Sequence, residues 1–187
     1  MSNDKVVLDG DDVRRTLVRI AHEIVEKNPE RERLAIVGIH RRGAHLARRL
    51  RGLLTDLLEV DVPLGELDIS FYRDDVGRRA EAPVVHSTQL EFPLDGATVV
   101  IVDDVLFTGR TVRAAIEALF DYGRPARVQL AVLADRGHRE LPLRPDYVGK
   151  NLPTSRDERI QVQLVEVDEV DQVLLVPAPE EGSSHDG

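Results

Sequence analysis

The 187-residue sequence has no cysteine, so no disulfide can staple it, a composition that fits a reducing compartment and the expectation of a cytoplasmic protein. It also lacks any run of about 18 apolar residues, the length a helix needs to cross a bilayer, and its polar, acidic start does not read as a secretory signal. No membrane partner is expected, and no internal repeat is visible. A 42% hydrophobic content in a chain of this length allows one domain with a substantial core, assigned here to residues 1–176. The formal net charge of −9 argues at first against a nucleic-acid partner. Its distribution weakens that argument. Residues 151–187 carry two basic and nine acidic side chains, a local charge of −7, which leaves only −2 on residues 1–150. Residues 177–187, with two Pro, two Gly, two Ser and several acids, read as a disordered acidic tail.

The most informative stretch is Val99-Val100-Ile101-Val102-Asp103-Asp104-Val105-Leu106-Phe107-Thr108-Gly109-Arg110-Thr111. Four consecutive β-formers read as a strand buried on both faces, running into two carboxylates and then a hydroxyl-and-glycine turn. With the strand ending at Asp103 and a helix starting near Arg110, the turn presents backbone N–H groups to an anion, and small residues let the anion approach. Thr108 and Thr111 add hydroxyl donors. Asp103 and Asp104, purely acceptors when ionised, suit sugar hydroxyls. A phosphate on one side and a diol on the other describe ribose 5-phosphate. An ordinary capped turn of a doubly wound sheet shares some of these features, but not thirteen residues in this order.

The stretch resembles the phosphoribosyl pyrophosphate signature of type I phosphoribosyltransferases. Downstream, Arg110-Thr111-Val112-Arg113-Ala114, Asp121 to Pro125, Asp135 to Pro142 and Gly149 to Ser155 narrow the resemblance to the PyrR family of bacterial pyrimidine-operon regulators, which are also uracil phosphoribosyltransferases. The likeness covers roughly residues 5–176. It implies an α/β fold with a mainly parallel central sheet flanked by helices, a small hood and a flexible loop. Alternation of strands with helices along the chain points independently to a parallel sheet covered on both faces.

The remaining segments fill in that plan. Asp11 or Asp12 is expected to cap a helix running to about Lys27, with Val13, Leu17, Ile20, Ala21 and Ile24 facing the core. Arg15, Arg19 and His22 fall on its opposite side, either a solvated face or a set of RNA phosphate contacts. Leu34 to Ile39 reads as a buried strand followed by His40-Arg41-Arg42-Gly43, where two guanidiniums beside a glycine suit a diphosphate. The resemblance makes this the pyrophosphate loop; Arg42-Gly43 match, while Arg41 stands where the family usually has Thr. A helix from Ala44 to about Leu57 carries an inner stripe of Leu46, Leu50, Leu53, Leu54 and Leu57, with Arg48, Arg49 and Arg51 as a solvated face. Glu66 to Tyr72 reads as a strand. The polar run from Arg73 to Pro83 is long for a compact domain and matches the family's flexible loop, in which Arg73, Arg78 or Arg79 would neutralise departing pyrophosphate or simply be solvated.

Further strands are expected at 84–88, 98–103, 128–133, 160–165 and 173–176, and a helix with Val112, Ala115, Ile116, Leu119 and Phe120 inward, ended by Gly123 and Pro125. Residues 136–152 resemble the hood over the base, where Arg136 would lie beside the base, Tyr147 would stack on uracil or serve as a core aromatic, and the backbone at Val148 would read the base edge. His138, Arg139, Arg144 and Lys150 form a second basic cluster, again solvated surface or RNA contact.

The activity implied is transfer of ribose 5-phosphate from phosphoribosyl pyrophosphate to uracil, giving UMP and pyrophosphate. Asp103 and Asp104 would hold the ribose, Thr108, Gly109, Arg110 and Thr111 the 5-phosphate, and Arg41, Arg42, Gly43 and Arg73 the diphosphate. Asp103, Asp104 and Arg42 would be the catalytic set. Mg2+ would enter with the donor, and no all-protein metal cage is needed. The family also implies binding of pyrimidine-operon leader mRNA, favoured by uridine nucleotides and supported by the two basic clusters, although Val18 stands where relatives can carry a hydroxyl. A homo-oligomer is expected. The competing readings are a phosphoribosyltransferase without an RNA role, acting on another base such as hypoxanthine, and a regulator whose catalysis has decayed; the intact 103–111 stretch speaks against the last.

Overall fold

The computed structural model describes residues 3–69 and 88–178. Five strands form a parallel sheet in the order β3-β2-β4-β5-β6: β2 Leu34–Ile39, β3 Leu64–Leu67, β4 Thr98–Leu106, β5 Arg127–Asp135 and β6 Tyr147–Asn151. Helices α1 (Gly10–Lys27) and α2 (Arg42–Leu58) cover one face, burying Leu17, Ile20, Leu46 and Leu50 with Ile36, Val100, Val102 and Leu133. Helix α3 (Arg110–Phe120) covers the other, where Ala115 and Leu119 meet Val99, Ile101, Leu130 and Val132. Successive residues of β4 thus serve opposite cores, which is why its sequence is apolar without alternation.

A second, antiparallel sheet in the order β1-β8-β7 joins the two ends of the chain: β1 Lys5–Leu8, β7 Arg159–Gln163 and β8 Gln172–Val176. Leu8, Val162, Leu164 and Val173 pack it into the core under α1 and α2. This small layer corrects the placement of the hood at 136–152. Within that segment, 147–151 is edge strand β6 of the main sheet, paired with β5, and 136–146 is the irregular connection before it. The strand β1 and the one-turn helix α4 (Val165–Asp168) had no sequence signal of their own.

Other boundaries shift for local reasons. Helix α1 is capped by Asp9, not Asp11 or Asp12: the Asp9 carboxylate accepts from Asp12 N–H at 2.8 Å, and Asp12 returns the bond to Asp9 N–H at 3.0 Å, a reciprocal capping box. The five expected core residues of α1 are all buried. In α2 the stripe ends on buried Leu58, and Leu57 points outward; in α3, Phe120 is half exposed and Ala118 takes the inward place. The expectations for 73–83, 84–87 and 179–187 fall outside the described residues.

Candidate active site at the carboxyl ends of the central strands

Strand β4 continues three residues past Asp103, so both carboxylates sit inside its last turn of pleat. Asp103 is buried at 7% exposure and its Oδ1 accepts from Asp104 N–H at 2.8 Å; Asp104 Oδ1 accepts from Val105 N–H at 2.8 Å. Asp103 lines a cavity of about 300 Å³ whose other walls are Val105 to Val112 and Glu140; Asp104, pointing the other way along the pleat, is half buried outside that lining. The turn itself requires glycine: Gly109 has φ +94° and precedes α3, and Thr108 Oγ1 accepts from Arg110 N–H at 3.2 Å. The first turn of α3 and the Thr108 and Thr111 side chains therefore line one anion-sized concavity.

The segment after β2 meets this site from the side. A β-carbon on Gly43 would lie 2.5 Å from Val102 O and 3.1 Å from Asp103 Cα, so only glycine lets α2 start against β4. Arg41 is exposed. Arg42 instead makes a bidentate pair with Asp168 at the end of α4, 2.9 and 3.3 Å. Burial tends to raise the Asp168 carboxyl, but the Arg42 guanidinium and the Leu164 N–H outweigh it and hold it below its ordinary value. One turn pair further along α2, Arg49 grips Glu166 and Asp171, and both carboxyls are lowered chiefly by that guanidinium. Arg49 is therefore a structural anchor rather than part of a solvated face, and much of the acidity near the chain end answers α2.

Two base-site assignments, Tyr147 and Arg136, are corrected. Tyr147 is 1% exposed, and its hydroxyl donates to Gln129 Oε1 at 2.8 Å and accepts from Asn28 Nδ2 at 3.0 Å, so it is a core aromatic. Burial raises its phenol above the ordinary value. The Val148 carbonyl accepts from Arg19 at 3.2 Å. Arg136 is buried, with its guanidinium 3.9 Å over the Phe107 ring and bonds to Thr154 Oγ1 and to the carbonyls of Ser155 and Glu158. Its desolvation lowers its affinity for a proton, and it joins the ring of Phe107 to residues 154–158.

The two basic clusters divide differently from the sequence expectation. Arg15 pairs with Asp12; Arg19 bonds Glu23 and the Gly149 carbonyl at 2.6 Å, which brings the α1 face next to exposed Lys150 on β6; His22 is exposed. Arg144 is exposed too. His138 and Arg139 turn inward: His138 Nε2 lies 2.5 Å from Thr154 O, and Arg139 donates to Phe107 O at 2.7 Å, Leu143 O at 2.9 Å and Asp135 at 2.7 Å. The His138 ring also meets the Phe107 ring edge-on, with centroids 5.9 Å apart. Arg73 lies outside the described residues.

Residues 7–169 match the family model of the phosphoribosyl transferase domain. The Bifunctional protein PyrR of Roseiflexus sp. is 61% identical over 174 residues, 92% of this chain and 95% of that protein. The chain belongs to the phosphoribosyltransferase family, and within it to PyrR. The PyrR of Chloroflexus aurantiacus is 54% identical over 186 residues and spans the whole of both chains. Among solved structures, the hypoxanthine phosphoribosyltransferase of Trypanosoma cruzi superposes with a TM-score of 0.71 over 94% of this chain and 97% of that one, at 19% identity. That of Staphylococcus aureus gives 0.69 over 96% and 94%, at 20% identity. Identities this low establish the shared fold alone. Asp168, Glu140 and Phe107, which the sequence reading left without a role, fix the guanidiniums of Arg42, Arg110 and Arg136; their sequence neighbours gave no hint of it, because these partners are 29 to 126 residues away.

Proposed function

We propose that the chain transfers ribose 5-phosphate from phosphoribosyl pyrophosphate to uracil, and that it binds the leader RNA of a pyrimidine operon in response to uridine nucleotides such as UMP. The observation that supports the catalytic half best is the Gly109 turn at the start of α3, facing a cavity that a buried carboxylate, Asp103, also lines. In this reading the bond from C1 of the ribose to the diphosphate oxygen breaks, the bond from C1 to uracil N1 forms, and the N1 proton leaves to solvent. Positive charge builds on the ring and negative charge on the diphosphate. Thr108, Gly109, Arg110 and Thr111 hold the 5-phosphate. Asp103 and Asp104 take ribose hydroxyls and favour the cationic ring. Arg42 and Gly43, with Arg41 at the rim, receive the diphosphate. The donor set, one cavity-lining carboxylate with a second beside it, fits Mg2+, which takes most of its ligands from water and substrate phosphates. Bound with the donor, the ion would offset charge on the departing diphosphate.

For RNA, the side chains of the two basic clusters that face outward are Arg15, Arg19, His22, Lys150 and Arg144. They support salt-dependent phosphate contacts on a body whose acidity is concentrated elsewhere. Residues up to 176 act as one unit, as a homo-oligomer in the cytoplasm; among the described residues no helix is long and apolar enough to cross a membrane. The test is a side-by-side assay of uracil, hypoxanthine and orotate with the same donor, together with leader-RNA binding with and without UMP. Consumption of uracil alone and RNA binding strengthened by UMP are expected; turnover of hypoxanthine alone would overturn the assignment.

A further inference from the structure

Residues 139–143 lie as a cover on the phosphate turn. The N–H groups of Glu140 and Leu141 both donate to Thr108 O, at 2.9 and 3.2 Å, and Arg139 holds Phe107 O. A β-carbon on Gly109 would touch the Leu143 side chain at 3.2 Å and that of Leu141 at 3.5 Å. At the exposed edge of this cover, Glu140 Oε2 accepts from Arg110 Nε at 2.8 Å, and Glu140 is itself part of the wall of the 300 Å³ cavity. The wall therefore contains a carboxylate at the place where the reading above seats a 5-phosphate of the same sign, and that carboxylate occupies a guanidinium of the turn.

We propose that Glu140 is the residue through which a nucleotide 5-phosphate in the turn is communicated to the basic segment 138–144, and so to RNA. The inference rests on the functional reading above and names how that site is regulated. A phosphate near −2 with three acceptor oxygens is a stronger partner for Arg110 than a single carboxylate, and it repels Glu140 across a short gap. With the carboxylate expelled, the anchors on Thr108 and Phe107 are strained in turn, because they lie in the same five residues. The cover re-seats and carries exposed Arg144 with it. The two seatings differ in phosphate affinity, the condition under which a ligand can shift an equilibrium between them. Glu140 acts on RNA binding through the cover, as a positioning residue.

The experiment measures leader-RNA affinity of the full-length protein with and without UMP, for the wild type and for Glu140→Gln. The glutamine keeps an oxygen for Arg110 but carries no charge for the phosphate to expel, so the variant is expected to bind RNA with UMP no more tightly than the nucleotide-free wild type does. The wild-type enhancement, of about five-fold or more for coupled sites, should shrink to less than about two-fold. Hydrogen exchange of the wild type gives a second readout that needs no variant: UMP is expected to speed exchange at the Glu140 and Leu141 amides. A wild type that responds to UMP alongside a variant with the same enhancement, or unchanged exchange at these amides, overturns the inference alone. A wild type that binds no leader RNA, or ignores UMP, overturns the regulatory reading and the inference with it.

Discussion

Gly43 at the start of α2 sits so close to β4 that a β-carbon there would meet the Val102 carbonyl oxygen at 2.5 Å. Backbone cannot yield as a flexible side chain does, so Gly43→Ala should push the first turn of α2, with Arg42, away from Asp103. Overpacking of this kind costs about 1–3 kcal/mol. A displacement near 1 Å beside a reacting centre is enough to cost about 100-fold in rate. Thermal unfolding and kcat/KM for the donor, measured on the same preparation, should show a modest loss of stability and a much larger loss of transfer. Equal transfer in the variant would place the diphosphate away from this loop.

Asp103 and Asp104 are adjacent but not equivalent, since only Asp103 lines the cavity. Both Asp103→Asn and Asp104→Asn keep a hydrogen-bonding oxygen for the backbone N–H that each now receives. Folding should therefore survive. Loss of a charge aimed at a developing cation costs about 100-fold or more, and the larger fall in kcat is expected at buried Asp103. Wild-type turnover in either variant would remove that residue from the site.

How much of this was legible beforehand follows from where each signal lies. The strand, its two carboxylates and the Gly109 turn into α3 could be read from residues 99–111 because their signal is local: apolar strand, acids, hydroxyls, glycine. The core face of α1 was legible for the same reason, as a period in consecutive residues. What escaped was set by distant partners. The bidentate pairing of Arg42 had no local signal, because its partner Asp168 is 126 positions away. Arg136 bonds main-chain carbonyls, which leave no trace in side-chain identity. The strand β1 exists only by pairing with β8 across the length of the chain.

Tyr147 offers a clean separation between a core role and a base-stacking role. Its hydroxyl belongs to a buried triangle with Gln129 and Asn28. Tyr147→Phe leaves the ring and removes one partner from two buried amides, which should cost about 1–3 kcal/mol. Urea unfolding should register that loss while KM for uracil stays unchanged. A shifted KM at undiminished stability would restore the ring to the base site.

The Arg49 anchor makes a pH-dependent prediction. Glu166 and Asp171 have folded carboxyls below their ordinary values, chiefly because of Arg49. Such groups contribute stability above their unfolded values, near pH 4, and lose it as pH falls through the folded values. In Arg49→Met the contribution should be missing already at pH 7, by about 1–2 kcal/mol after screening of partly exposed groups. The difference from wild type should close as both proteins approach pH 3. Urea midpoints at pH 7, 5 and 3 test this; a gap that stays constant with pH would assign the loss to packing alone.

The outward and inward cations should separate by salt as well as by activity. Arg19 bonds the carbonyl of Gly149, the residue before exposed Lys150 on β6, whereas Arg139 is spent on Phe107, Leu143 and Asp135. If the outward pair meets RNA phosphates, Arg19→Ala with Lys150→Ala should weaken leader binding and flatten the slope of log K against log salt by about 0.7–0.9 per lost contact. Uracil transfer should stay near wild type, because neither side chain reaches the phosphate turn. Arg139→Ala should do the opposite at the enzyme: the Phe107 carbonyl loses its donor, the turn loosens, and KM for the donor rises several-fold. An unchanged salt slope in the double variant would remove this face from RNA binding, and an unchanged KM in Arg139→Ala would show that the turn is held without it.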